Sequence, residues 1–144
     1  MIKKLSHVTV YVLDQDSAKA FYIEKLGFEL RQEMRVGDFR WLTVGSPEQP
    51  ELEFVLMPVG GPQHDPQTEK QLREMIAKGV FGPGVLTTDD CRKTYEELSE
   101  RGVTFLSEPA ERPYGVEAVF RDDSGNSFSL TERKIDLDLS KEWG

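Results

Sequence analysis

An internal repeat constrains this chain more than any other feature of its sequence. A shift of 75 residues places Asp14 on Asp89 and Gly27 on Gly102, and the segments around these pairs follow the same order. Self-similarity at a fixed spacing is typical of one supersecondary unit used more than once. The sequence therefore predicts two modules of the same kind within its 144 residues.

The first module reads as a strand, a helix and three more strands. Residues 5–13 are rich in β-branched residues, and valines at alternate positions leave His7, Thr9 and Tyr11 on the opposite face. Polar residues after this strand supply helix caps, and Gly27 ends the helix. The further strands are predicted at 28–36, 40–45 and 51–57.

The second module repeats this order after a turn-rich linker and an extra helix at 69–78. Asp89 and Asp90 are its predicted helix caps, and Gly102 is its helix stop. Its strands are predicted at 83–88, 103–106, 114–121 and 127–132. The predicted organisation is a single domain, with module 1 at about 5–58, linker and helix at about 59–80, module 2 at about 81–133 and a charged tail at 134–144.

These elements predict an α+β fold built from two β-α-β-β-β modules. A sheet that is mostly antiparallel and carries a helix on one face leaves its other face free to curl around a ligand. Two such modules would form a curved mixed-sheet trough with the helices on the outer face.

Charge and composition limit the partners of such a protein. The formal net charge of −8 provides no basic field for phosphates, so we expect neither a nucleic-acid nor a membrane partner. No segment approaches the roughly 18–20 apolar residues that span a bilayer. The single cysteine, Cys91, and a start that lacks a long apolar signal region favour a cytoplasmic location.

Short segments add a resemblance to a known family. They are Ser6-His7-Val8-Thr9-Val10, Phe21-Tyr22 followed by Lys25-Leu26-Gly27-Phe28, and the hairpin Asp122-x-x-Gly125-Asn126. Together with the repeat, they make the chain resemble the vicinal oxygen chelate superfamily, which includes glyoxalase I, extradiol dioxygenases and bleomycin-resistance proteins. The resemblance covers residues 5–133. It implies a small organic ligand in the trough and a homodimer, which would also cover the open sheet edges.

The resemblance also implies a divalent metal (iron, manganese, zinc or nickel) held by the first and last strands of each module. His7 and Glu53 match the positions in module 1 and are the candidate catalytic and metal-binding residues. Shifts of 75 and 76 residues give two positions in module 2: Gly82, or Pro83 and Gly84 if the register slips, and Ser129. A catalytic metal needs about three strong protein ligands. Two functions therefore stay open: metal-assisted chemistry on vicinal oxygens, of lyase, isomerase or dioxygenase type, or metal-free sequestration of a drug or metabolite.

Other residues are candidates for substrate binding. Tyr11 and Trp41, with Phe39, either line the trough as walls for a flat apolar ligand or belong to the core. Strand alternation assigns Glu117 to the trough face, and Ser129 is a candidate because it matches Glu53 in the repeat. The alternative for Glu117 is a cross-strand ion pair with Arg40 or Arg121, and we expect that pairing.

Two further residues have weaker claims to a role. His64 would reach a metal only if the linker folded over the trough. Cys91 is expected to be an inert small residue at the start of a helix, where the helix dipole and two carboxylates oppose each other.

Overall fold

The computed structural model describes residues 1–134, so the predicted tail at 135–144 lies outside the described part of the chain. The elements of module 1 are β1 (His7–Val12), α1 (Gln15–Ala20) continued by a π-helical turn (Phe21–Lys25), β2 (Glu29–Val36), β3 (Phe39–Gly45) and β4 (Glu53–Pro58). A 3₁₀ turn (Gly61–Gln63) and α2 (Pro66–Lys78) follow. Module 2 comprises β5 (Gly84–Thr87), α3 (Cys91–Glu100), β6 (Thr104–Arg112), β7 (Gly115–Arg121) and β8 (Ser127–Arg133).

The two modules have the same sheet topology. The strand order is β1-β4-β3-β2 in the first sheet and β5-β8-β7-β6 in the second. In each sheet the first and last strands of the module are parallel neighbours, and the other pairs are antiparallel. The prediction of an α+β fold made from two repeated mixed-sheet modules is therefore confirmed.

The helix ends show where the repeat is regular and where it shifts. Gly27 and Gly102 both have a positive φ, 77° and 92°, and each ends the helix of its module. At the other end, Asp14 caps α1 and Asp90 caps α3 through the side chain. The predicted match of Asp14 with Asp89 is thus wrong by one residue. Module 1 accommodates its additional residue in the π-helical turn, whose wider i→i+5 bonding takes one more residue per turn.

The chain divides into two compact units that do not follow the module boundary. Among the described residues, the first contains 1–83 together with 123–126, and the second contains 84–122 and 127–134. The segment 123–126 is fixed in the first unit because the Leu13 amide donates to Ser124 Oγ at 2.9 Å and Asn126 Nδ2 donates to the Tyr11 carbonyl at 2.8 Å. The first unit is therefore completed by four residues from the β7–β8 hairpin.

Each unit has its own apolar core on the helix side of its sheet. In the first, the fully buried side chains include Val10, Val12, Tyr22, Leu42 and Leu56. In the second, Phe120 and Phe128 stack at 5.7 Å between ring centroids and are almost fully buried. Because strand residues alternate between faces, burial of these rows directs the intervening side chains to the other face of each sheet.

The helix between the modules begins earlier than the spacing of its apolar residues predicts. Asp65 accepts a hydrogen bond from the Thr68 amide, and Pro66 occupies the first turn of α2. Proline is favoured there because its missing N–H would have no partner in the helix. The predicted start at residue 69 is therefore three residues late.

Candidate functional site

His7 and Glu53 lie side by side on the first sheet. The parallel register of β1 and β4 places them opposite each other, and His7 Nε2 is 3.5 Å from Glu53 Oε2. Ser6 Oγ contacts His7 Nδ1 at 2.8 Å, and the buried Thr43 hydroxyl donates to Glu53 Oε1 at 2.6 Å. The structure thus brings the two residues together as predicted, in a polar group of four side chains.

Aromatic and apolar side chains surround this polar group. The Trp41 ring centroid is 5.9 Å from that of His7, and Trp41 Nε1 donates to Gln32 Oε1 at 2.9 Å. Met34 pairs with Trp41 across the β2–β3 ladder and is 51% exposed. We call the face of the first sheet that carries these side chains, opposite its buried core, the open face.

A loop places an additional histidine on the open face. The His64 ring lies 5.7 Å from the Tyr11 ring, edge to face, and His64 Nδ1 accepts a hydrogen bond from the Gly60 amide at 3.0 Å. The linker therefore folds back over β1. Sequence periodicity gives no signal for this contact because it depends on loop conformation.

A cavity of about 120 Å³ opens next to Tyr11 within the first unit. Its lining residues are Thr9, Tyr11, Phe81, Gly82, Pro83 and Asn126. Gly82, which the 75-residue shift predicts as the counterpart of His7, contributes no side chain to this space. The strand register instead places Val85 opposite Ser129, as His7 lies opposite Glu53. The cavity has room for a single small ring, with hydroxyl and amide groups in its wall.

On the second sheet, Glu117 is held by hydroxyl groups. Tyr114 Oη donates to Glu117 Oε1 at 2.6 Å and Ser129 Oγ donates to Oε2 at 2.5 Å, while Ser129 also contacts Thr131 Oγ1 at 2.7 Å. The hydrogen bond to Glu117 is the main cause that raises the pKa of the Tyr114 phenol, so its hydroxyl remains a donor at neutral pH.

The expected ion pair between Glu117 and an arginine is wrong. Arg40 instead pairs with Asp16 at 2.6 Å and Glu33 at 2.5 Å on the helix side of the first sheet. The hydrogen bond from Arg40 holds the pKa of the Glu33 carboxyl below its usual range. Arg121 forms no ion pair with Glu117 in the described residues.

The two modules use the same pair of positions with the groups exchanged. In module 1 the β3 residue, Thr43, donates a hydroxyl to the β4 carboxylate of Glu53. In module 2 the β7 residue is the carboxylate, Glu117, and the β8 residue, Ser129, supplies the hydroxyl. Both pairs are diagonal across an antiparallel ladder, since Thr43 lies opposite Val55 and Glu117 opposite Thr131. Each sheet therefore presents one carboxylate fixed by a neighbouring hydroxyl.

The environment of Cys91 is the one expected of an inert residue. It is buried at the start of α3, where burial raises the pKa of its thiol. Its Sγ donates to the Leu130 carbonyl at 3.5 Å. A neutral, buried thiol is a poor nucleophile and a poor metal ligand.

The donor set does not fit a resident divalent metal. Within residues 1–134 there is no group of three or more His, Cys, Asp or Glu side chains that could hold one. His7 and Glu53 supply two donors, Gly82 supplies none, and the Ser129 hydroxyl is already bonded to Glu117. Catalytic sites for such metals normally use about three imidazole, carboxylate or thiolate ligands. We therefore derive no step through a metal.

The chain belongs to the glyoxalase/bleomycin resistance protein/dioxygenase superfamily, whose family model matches residues 4–130. This confirms the resemblance seen in the sequence. UcmS2, whose crystal structure is known, shares 60% sequence identity with this chain. The two structures match with a TM-score of 0.89 over 92% of this chain and 99% of UcmS2. TnmS3, an antibiotic binding protein from Streptomyces sp. CB03234, is 30% identical with a TM-score of 0.73, covering 92% and 98%.

A curated relative shows the same full-length correspondence. The uncharacterized protein YurT of Bacillus subtilis (strain 168) is 35% identical over 131 residues, which are 90% of this chain and 99% of the relative. Among the described residues, each helix is too short or too polar to cross a membrane.

Proposed function

We propose that the protein binds a small organic molecule on the open face of its first sheet and does so without a resident metal. The observation that carries this proposal is the chemistry of that face. The half-buried aromatic side chains of Tyr11 and Trp41 and the exposed Met34 lie around a few fixed polar groups, beside a cavity of about 120 Å³. Ligand sites combine apolar walls with a small number of orienting polar groups in this way.

The side chains favour a flat and mostly apolar ligand. Trp41 and Tyr11 offer ring faces and edges, and Met34 adds a flexible apolar contact. Thr9 and His7 provide hydrogen-bonding groups at the margin. TnmS3 is an antibiotic binding protein, and this relationship supports sequestration of a drug or metabolite as the role of binding.

Localisation and assembly are part of the same proposal. We place the protein in the cytoplasm as a homodimer. Each sheet has two edge strands, β1 and β2 in the first and β5 and β6 in the second, and each of them pairs with another strand on one side only within the described chain. Unpaired edges are usually covered by another chain or protected by local irregularity.

The experiment is a titration with acridone, a neutral planar tricycle, followed by ¹H–¹⁵N NMR. We expect saturable shifts of amides on β1, β3 and β4, and a loss of affinity of about tenfold or more in Trp41→Ala, as for removal of a buried aromatic contact. Arg35→Ala, on the same hairpin, is the matched control because Arg35 pairs with Arg40 on the opposite face. No saturable binding, or equal loss in both variants, would contradict the proposal.

Metal dependence is tested on the same samples. Protein purified without a chelating tag should contain metal well below one equivalent by elemental analysis, and EDTA should leave acridone binding unchanged. Stoichiometric iron, manganese, zinc or nickel that is lost in His7→Ala and in Glu53→Gln would instead support the metal-assisted function.

A further inference from the structure

The second sheet carries many hydroxyl groups on the face opposite its core. Burial of Val116 and Ala118 on one side of β7 places Glu117, between them, on the other side. The strand register adds hydroxyl-bearing residues to the side of Glu117, and these are Thr87, Thr104, Ser107, Ser127, Ser129 and Thr131. We call this side of the second sheet the hydroxyl face. Its chemistry differs from that of the aromatic open face of the first sheet.

The hydrogen bonds around Glu117 commit the protons of its hydroxyl neighbours. Tyr114 Oη donates to Glu117 Oε1 at 2.6 Å, and Ser129 Oγ donates to Oε2 at 2.5 Å. A hydroxyl group has a single proton to donate. In the contact between Ser129 and Thr131 at 2.7 Å, Thr131 is therefore the donor. All three protons are in use, so this network can offer a ligand only acceptor sites.

Glu117 provides the strongest of these acceptor sites. An ionised carboxylate has about four lone-pair sites, and each oxygen of Glu117 has used one of its two. The side chain is half-buried, and within residues 1–134 no Lys, Arg or His nitrogen lies within 4.0 Å of it. Because a partly buried carboxylate is stabilised by hydrogen bonds, further donors are favourable here. The carboxylate is fixed so that two adjacent donors of a ligand can bind, one to each oxygen.

Two arginines on the same face decide what kind of donor fits. Arg112 lies opposite Gly115 and Arg121 opposite Ser127, on the side of Glu117. The hydrogen bond to Glu117 raises the pKa of the Tyr114 phenol, and the charge of Arg112 acts on the same group in the opposite direction, so this guanidinium is near the network. Both arginines repel a further cation, and both can donate to oxygen atoms of a neutral ligand. The hydroxyl face therefore favours a neutral ligand that has hydroxyl donors and acceptor oxygens together.

We propose that the hydroxyl face binds a neutral sugar ring, with two neighbouring hydroxyl groups that donate to Glu117 and other oxygens that accept from Arg112 or Arg121. Each hydroxyl of a sugar both donates and accepts, and Val119 and Val85 lie on the same face to contact its ring carbons. This inference goes beyond the proposed function. The site lies wholly within the second unit and requires no ligand on the first sheet.

The test is a ¹H–¹⁵N NMR titration with three compounds that share one ring. Methyl β-D-glucopyranoside should cause saturable shifts at the amides of Glu117 and Ser129, with a Kd of about 1–10 mM, as a few hydrogen bonds provide. 2-Methoxytetrahydropyran, which has no hydroxyl group, should bind at least about tenfold more weakly. Methyl β-D-glucosaminide at about pH 6 has an ammonium in place of one hydroxyl, and it should bind no more tightly than the glucoside.

Two substitutions test the role of Glu117. Glu117→Gln keeps the size of the side chain but removes its charge and one acceptor oxygen, so glucoside affinity should fall about tenfold or more. Glu111→Gln is the matched control, because it makes the same charge change at an exposed position on β6, opposite Val116 on the other face. Its affinity should stay within about twofold of the parent's.

A further variant keeps the test decisive if Glu117→Gln does not fold. Tyr114 is 37% exposed, so Tyr114→Phe should leave the fold intact while it removes one of the two hydroxyls that orient Glu117. Glucoside affinity should then fall about threefold or more. An unchanged affinity in Tyr114→Phe would contradict the preorganised carboxylate.

The remaining outcomes are equally distinct. The absence of saturable shifts with the glucoside, shifts confined to the first sheet, or an equal loss in Glu111→Gln and Glu117→Gln would each overturn the sugar site. Binding of the glucosaminide about tenfold more tightly than the glucoside would overturn its neutral character. Acridone binding tests the first sheet separately, so the proposed function can fail or stand whatever the sugar titration shows.

Discussion

Replacing Thr43 by valine should destabilise the protein through a single hydrogen bond. Thr43 is fully buried, and its hydroxyl donates to Glu53 at 2.6 Å. Valine has almost the same shape, so the substitution removes the donor without leaving a cavity. Hydrogen bonds to charged groups contribute about 1.5–3 kcal/mol. The Glu53 side chain is 22% exposed and contacts His7, so water and the imidazole offset part of the loss, and we expect a cost of about 1–2 kcal/mol.

Urea unfolding followed by circular dichroism measures this cost as a change in midpoint with an unchanged slope. Thr9→Val is the control, because Thr9 is an exposed threonine on β1 and should change the free energy of unfolding by no more than about 0.5 kcal/mol. In a Glu53→Ala background, Thr43→Val should cost close to nothing, since its acceptor is gone. A cost in Thr43→Val that persists undiminished without Glu53 would refute the reasoning.

The remaining predictions concern assembly, helix ends and acid stability. Light scattering at micromolar concentration should give about twice the chain mass of 16.4 kDa, and a value near the chain mass would argue against the dimer. Gly27→Ala and Gly102→Ala should each cost about 1–2 kcal/mol in urea unfolding because both have a positive φ. Gly84→Ala should leave the free energy of unfolding nearly unchanged, because an added Cβ would meet no atom within 4 Å and the φ of Gly84 is not positive. Equal costs at all three glycines would contradict the argument. The Arg40 hydrogen bond lowers the folded-state pKa of Glu33 below 4.5, so its stabilisation is present above that pH and is lost as the pH falls through the folded pKa. In Glu33→Gln, the free energy of unfolding, measured in urea at a series of acidic pH values, should therefore fall less steeply with decreasing pH. The same pH dependence in the variant and the parent would count against the Glu33–Arg40 pair.

The order of elements could be predicted because the signals are local. Alternating valines mark β1, and glycines with positive φ end both module helices. The π-helical turn at Phe21–Lys25 was not predictable from periodicity, since one inserted residue leaves the apolar spacing nearly intact. The start of α2 was missed for another reason. Its first apolar residue, Leu72, lies well inside the helix, although Asp65 followed by Pro66 was a readable cap signal.

The candidate site was only partly predictable. The repeat and strand alternation were sufficient to place His7 beside Glu53. They also assigned Glu117 to the face of its sheet opposite the buried core. Alternation shows on which face a side chain lies, but it does not show which residues that side chain contacts. The partner of Glu117 was therefore wrongly expected to be an arginine, whereas the structure supplies the hydroxyls of Tyr114 and Ser129. The contact of His64 with Tyr11 depends on loop geometry, which no local pattern encodes.

The segment 123–126 has a consequence for how the protein is made. The first compact unit includes these four residues, which satisfy the amide of Leu13 and the carbonyl of Tyr11. During synthesis, residues 1–83 leave the ribosome before the segment 84–122 and must wait for it to be translated. At about 5–20 residues per second, that interval lasts roughly 2–8 seconds. For those seconds, the Leu13 amide and the Tyr11 carbonyl of the nascent amino-terminal half lack their partners in the segment 123–126, and chaperones and proteases compete with folding. A gene truncated after the first module would encode a chain that cannot complete its own first unit.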